Sequence, residues 1–417
     1  MKKTKIFKMK NGPKVVLYQD TSKHVAFASL YVMFGGDVKK AKIDGKEYKI
    51  PNGIAHFIEH LLIEHSKYGN FLLDMEKKNT DCNGFTNKDR TEFYVNSVKN
   101  FEDDLVKLIN VVNNAHFTKK NIEEVRSAII KEKMMEKDRN FVDLMRLDYS
   151  LLFKNIEYPN VLGEVDDIKN ISYEDVKLCY DAFYRNENEI IVIAGNFNIG
   201  KIEKILKENF SKKELKYKNV ELLKEKEGKE IANFTGSIKK NISMDYVRVT
   251  YKIDASSFKG KDRVDLDFYM YMFLSYLFDP SSDVYNDLVE SKTCIYNLDY
   301  SSYFIDDYLI IMIGTTTDNH EAFIDKVVDT MKSKKVNEED FELRKKDSIV
   351  EIILREDTLG KTINPFVNNI LVYNYDKMDT TEDIESLTFE KYKNVIEGLD
   401  FSHYAISMML KNGDKCE

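Results

Sequence analysis

Short apolar runs and stretches of helical period alternate along the chain. Val15-Val16-Leu17-Tyr18 and the run from Val25 to Phe34 read as strands, as does Glu92 to Ser97. A helical pattern then spans Phe101 to Val112. Glu189-Ile190-Ile191-Val192-Ile193-Ala194-Gly195 is apolar, β-branched and closed by a glycine, which predicts a buried strand. Strands and helices are thus mixed, which predicts an α/β fold of the α+β sandwich kind, a sheet packed under helices.

Residues 209–232 interrupt the pattern with a Lys/Glu-rich stretch, Lys212-Lys213-Glu214 through Glu230, which reads as a solvated connector. Beyond it, Tyr246 to Tyr251 and Tyr308 to Gly314 read as strands, and Asp265 to Leu277 and Phe323 to Met331 as helices. A chain of 417 residues exceeds one ordinary core, so the division expected is 1–208, a charged connector over 209–232, and 233–417.

Composition narrows the function classes. Charged residues make up 32% and hydrophobic ones 43%, an ordinary balance for a soluble globular protein. A net charge of −8 with Lys and Glu interspersed offers no footprint for nucleic acid. No stretch has the apolar length of a membrane helix, so no membrane insertion is expected. The basic start, Met1 to Lys10, lacks the apolar centre of a signal peptide. Cys82, Cys179, Cys294 and Cys416 have no paired spacing and read as reduced thiols in a cytoplasmic protein.

The candidate chemistry sits in His56-Phe57-Ile58-Glu59-His60, an H-x-x-E-H pentapeptide. Positions i, i+3 and i+4 share one face of a helix. His56 and His60 can therefore aim ring nitrogens at one point with Glu59 beside them. Neutral imidazoles suit zinc, and a carboxylate next to such an ion can take a proton from water held there. The competing reading is a surface helix without metal. The flanking Ile54-Ala55 and Leu61-Leu62-Ile63 are apolar, so these ionisable groups need partners within the protein or a cleft. Pro51-Asn52-Gly53 marks the helix start.

A zinc site needs a third protein ligand. Val125, Ala128, Ile129 and Glu132 fall on one helical stripe, so Glu132 interrupts an apolar face. It either meets a cation or sits at the stripe's edge and reaches solvent. Glu136 is the alternative one turn later. His65 lies off the ligand face and reads as a structural or exposed histidine.

The segment from Gly53 to Leu61 resembles the active-site helix of the pitrilysin–insulinase–mitochondrial processing peptidase superfamily, the inverted zincins. Phe34-Gly35-Gly36-Asp37 resembles the turn before that helix. Asn83-Gly84-Phe85-Thr86, followed by Thr91-Glu92-Phe93-Tyr94, resembles the edge strand on which those enzymes lay substrate. Ala128 to Glu132 resembles the distal zinc-ligand helix, here 72 positions past His60. The resemblance implies two related halves, each a mixed, mainly antiparallel sheet under helices. It implies Zn2+ bound by His56, His60 and Glu132, Glu59 as general base, and an extended peptide substrate on Asn83, Gly84, Phe85 and Thr86. A supporting acid stands seven positions before the distal Glu in the family; here that position is Val125, with Glu124 beside it.

The resemblance also implies an Arg and, seven positions later, a Tyr in the second half. Tyr296 matches the Tyr, but Val289 stands in the place of the Arg. Valine donates no hydrogen bond, and loss of one oxyanion donor costs about 10²–10³ in rate. The chain thus resembles the zinc-bearing subunit of a two-subunit type, whose homologous partner supplies the Arg/Tyr pair. The alternative is a non-catalytic or scaffold subunit of a related heterodimer.

Overall fold

The computed structural model describes residues 2–10, 12–135, 140–210 and 216–412. Glu136, Lys212 to Glu214 and Cys416 lie outside the described residues. Two compact units emerge, one of residues 1–138 and 159–224, the other of 139–158 and 225–417.

The first unit carries β1 (Lys2–Lys8), β2 (Lys14–Asp20), β3 (Ala26–Val32), β4 (Lys40–Ile43), β5 (Lys46–Lys49), β6 (Asp81–Thr86), β7 (Thr91–Ser97), β8 (Glu189–Gly195) and β9 (Val220–Leu222). Six of these form a sheet in the order β1-β2-β8-β3-β7-β6. All its pairings are antiparallel except β2 with β8. The central β8 is buried along nearly its whole length, as its unbroken apolar run requires. Helices Ile54–Glu64, Phe101–Asn113, Lys119–Met135 and Tyr173–Phe183 contribute buried apolar residues to the same core.

The second unit holds β10 (Thr235–Lys240), β11 (Tyr246–Asp254), β12 (Leu298–Ile305), β13 (Tyr308–Thr316) and β14 (Tyr404–Lys411), ordered β10-β14-β11-β13-β12. Its first strand runs parallel to its last, and the other pairings are antiparallel. The first unit repeats this connectivity strand for strand in β2-β8-β3-β7-β6. The two halves are therefore topologically related, although no repeat is legible in their residues. By this correspondence β12 is the counterpart of β6, and Lys261–Phe278, between β11 and β12, occupies the motif helix's place in chain order.

Two segments differ from the sequence expectation. Helix Asn140–Leu152, within the first half by position, belongs to the second unit. Its buried Asp148 accepts a hydrogen bond from Arg248 of β11 at 2.7 Å, and Leu151 and Leu152 lie in a buried cluster with Ile310 and Ala405. A buried ion pair of this kind holds only where both partners are present, so tertiary pairing overrides chain position. The 209–232 stretch is also not simply solvated. Its β9 pairs with β4, and Glu227 buries its side chain against Lys252 at 2.8 Å. Charge alone suggested solvent, but the opposite charge on β11 offsets the cost of burying Glu227.

Among the described residues no helix is long and apolar enough to cross a membrane.

Candidate metal centre

The motif helix, Ile54–Glu64, starts where Gly53 adopts a left-handed conformation, and a side chain there would collide with the Leu162 backbone. Ile54, Ala55, Phe57, Ile58, Leu61, Leu62 and Ile63 are buried and lock the helix in the core. That leaves His56, Glu59 and His60 on a common face. Ligand atoms of these three lie within 4.8 Å of one another. The two rings meet edge to face, with centroids 4.6 Å apart.

The neighbouring helix Lys119–Met135 brings up Glu132. Its buried Val125 and Ile129 face the core, as the periodicity predicts. Glu132 Oε2 stands 3.8 Å from His56 Nε2 and 3.6 Å from His60 Nε2. Arg126 fixes this helix. Its guanidinium donates to the carbonyls of Ile168, Lys169 and Ile171 and lies 5.8 Å from the Phe57 ring centroid.

A tetrahedral ion with bonds near 2 Å sets its ligands roughly 3.3 Å apart. The Glu132 oxygen stands near that spacing from each of the two nitrogens. Two imidazoles and one carboxylate also make the donor set of a catalytic zinc site. The residues fit the metal.

The two rings differ in their electrostatics. Burial, aided by the His60 charge, lowers His56 to about 4, so its ring is neutral near pH 7. Burial works against a charged His60 too, but Glu132 and Glu64 outweigh it and raise it to about 10 in the metal-free chain. Burial raises Glu59 to about 6 against the opposing hydrogen bond from Thr86. The cluster is one that a cation stabilises.

The substrate-strand candidates divide. Among the described residues β6 is an edge strand that pairs with β7 alone. Asn83 and Phe85 are exposed on it. Gly84 lies against the motif helix, where an added Cβ would overlap Ile63 and come within 2.9 Å of Glu59 Oε1. Thr86 is buried, and its Oγ1 donates to Glu59 Oε2 at 2.6 Å. Its side chain therefore serves Glu59, a role that strand alternation alone did not signal.

Two further contacts escaped the sequence reading. Glu64 Oε1 lies 2.7 Å from His60 Nδ1, and its spacing four residues after His60 was the available clue. Glu124 Oε2 is 3.8 Å from His65 Nε2. Tyr296 belongs to the second unit, 65% exposed, beside a cavity of about 720 Å³ lined by Phe141, Leu144, Tyr246, Arg248 and Met312. Val289 is exposed near the end of helix Asp283–Glu290.

Residues 14–149 match the family described as Insulinase (Peptidase family M16), and residues 170–347 match Peptidase M16 inactive domain. The uncharacterized zinc protease YmfH of Bacillus subtilis is 25% identical over 94% of this chain and 92% of its own length. The mitochondrial-processing peptidase subunit beta of Blastocladiella emersonii is 23% identical over 50% of this chain and 44% of that one. An M16-like peptidase structure from Alicyclobacillus acidocaldarius superposes with a TM-score of 0.87, at 21% identity over 99% of both chains.

Proposed function

Because this chain belongs to the pitrilysin–insulinase (M16) superfamily, whose relatives here are named as a zinc protease and a mitochondrial-processing peptidase subunit, we propose that it is a zinc-dependent endopeptidase subunit acting on extended peptides or unfolded leader segments. The observation that carries the reading is the convergence of His56 Nε2, His60 Nε2 and Glu132 Oε2 beside a buried Glu59.

His56, His60 and Glu132 would hold the ion. Bound zinc supplies Lewis-acid polarisation of the scissile carbonyl and makes water more acidic. Glu59 acts as general base and then acid. Thr86 occupies Oε2, so Oε1 is the atom that takes a proton from the attacking water and returns it to the leaving amine. Substrate adds as a strand along the open edge of β6, with main-chain hydrogen bonds for affinity. Gly84 keeps that edge close to Glu59, and the exposed Phe85 offers an apolar contact to substrate side chains.

By resemblance, Tyr296 stands where the family places one oxyanion donor, and Val289 stands where it places the other and donates no hydrogen bond. A homologous partner subunit bringing an Arg/Tyr pair completes the site. The free thiols of Cys82, Cys179 and Cys294 support a cytoplasmic setting.

The test compares the wild-type chain with Glu59→Gln, each together with the subunit that co-purifies with it. Equal zinc content with hydrolysis lost only in the variant supports the reading. Near wild-type hydrolysis by Glu59→Gln sinks it. A zinc-loaded wild-type pair without hydrolysis would favour a scaffold role instead.

A further inference from the structure

His60 is engaged at both ring nitrogens. Nε2 faces Glu132 Oε2 at 3.6 Å, while Nδ1 lies 2.7 Å from Glu64 Oε1. Lone pairs on opposite edges of an imidazole diverge, so a group at Nδ1 cannot join an ion held at Nε2. Glu64 therefore stands outside the ligand set while touching a ligand. It follows His60 by one helical turn, which brings both side chains to the same face. The other carboxylate oxygen is 4.0 Å from His65 Nε2, and His65 is in turn 3.8 Å from Glu124 Oε2. The Glu64 carboxylate is thus flanked by imidazoles on both sides.

His56 provides the contrast. Its Nδ1 is buried without a hydrogen-bond partner among the described residues. Only one of the two imidazoles has its proton position fixed by protein. The other helix supplies no acid for this purpose at residue 125, which is a buried valine.

We propose that Glu64 is the positioning residue of His60: it holds the proton on Nδ1 and fixes the ring, so that the Nε2 lone pair points toward Glu132. An acceptor at the far nitrogen of a ligating histidine fixes its tautomer and raises its basicity, and loss of such a partner weakens metal affinity 10–100-fold, about the scale expected here. The inference rests on the zinc reading above and adds a residue to it. It also assigns a function to the His65–Glu124 pair, which steadies the outer oxygen of Glu64.

The experiment measures zinc affinity of the full chain by competition with a chromophoric chelator, and records the visible absorption of the cobalt-loaded chain. Wild type is compared with Glu64→Leu, Glu64→Gln and His56→Ala, with circular dichroism confirming the fold of each. Glu64→Leu should bind zinc 10–100-fold more weakly and shift the cobalt bands. Glu64→Gln should recover much of the loss, because its side-chain carbonyl still accepts the Nδ1 proton. His56→Ala should lose zinc outright. Unchanged affinity in Glu64→Leu while His56→Ala loses zinc overturns the role of Glu64 alone. Equal losses in the Leu and Gln variants with altered dichroism give Glu64 a structural role and overturn it too. A wild-type chain that takes up no zinc overturns the zinc reading itself.

Discussion

Thr86 donates a 2.6 Å hydrogen bond to Glu59, tying the last residue of the edge strand to the carboxylate of the motif helix. Both residues are buried, and Thr91, which donates to the Phe34 carbonyl, lies 3.4 Å from Thr86 across the strand pair. The bond fixes one oxygen of Glu59 and leaves the other to react. Thr86→Val keeps the shape and removes the donor. A hydrogen bond to a charged group contributes about 1.5–3 kcal/mol, so turnover should fall roughly tenfold to a hundredfold with zinc content unchanged. Thr86→Ser should restore most of it. Steady-state kinetics beside metal analysis checks both.

Gly84 is expected to tolerate no side chain. An alanine Cβ would overlap Ile63 and press on Glu59 from 2.9 Å. Overpacking of this kind costs about 1–3 kcal/mol, and the displaced carboxylate should lower kcat as well. Thermal denaturation and kinetics of Gly84→Ala would show both losses. A variant with wild-type stability and rate would mean that β6 can move away from the helix.

Lys252 and Glu227 form a buried pair in the second unit, with Lys252 also donating to the carbonyls of Leu152 and Glu230. Lys252→Ala strands a buried carboxylate and should destabilise by about 3–5 kcal/mol. Burial pushes the Glu227 carboxyl up, but Lys252 and the backbone amides of Asn155 and Lys154 outweigh it, and the net shift is downward. A carboxyl lowered by folding contributes stability above its unfolded value, near 4.3, and loses that contribution as pH falls below it. Acid denaturation should therefore be less steep below about pH 4 in Glu227→Gln than in wild type. Parallel acid-unfolding curves would remove Glu227 from the account.

Val289 predicts a dependent enzyme. With one oxyanion donor missing, the isolated chain should be about 10²–10³ slower than the pair formed with an Arg/Tyr-bearing partner. Peptide turnover before and after adding that partner measures the difference. Full activity from the chain alone would show that position 289 does not matter.

Much of this was legible in the residues, for physical reasons that also mark where legibility ends. Local patterns carried the strand at Glu189–Gly195 and the helix at Phe101–Asn113, because apolar period reports burial directly. The His56–Glu59–His60 face followed from helical geometry alone. Helix Asn140–Leu152 did not reveal its unit, since Asp148 finds Arg248 a hundred residues away and no local signal encodes that pairing. Asn83 to Thr86 read as one substrate strand, but alternation sends Thr86 inward to Glu59 while Phe85 stays outside. Glu64 carried no signal beyond its spacing four residues after His60, and it takes the ring's orientation to bring the second nitrogen of His60 to its carboxylate.

The central claim is the ion itself. Anomalous scattering at the zinc edge from crystals of the wild-type chain tests it most directly, independently of partner and substrate. The account predicts a single strong peak per chain, about 2 Å from His56 Nε2, His60 Nε2 and Glu132 Oε2, and greatly reduced in Glu132→Gln. No peak at that point under zinc-replete conditions, or one that does not contact Glu132, would contradict it.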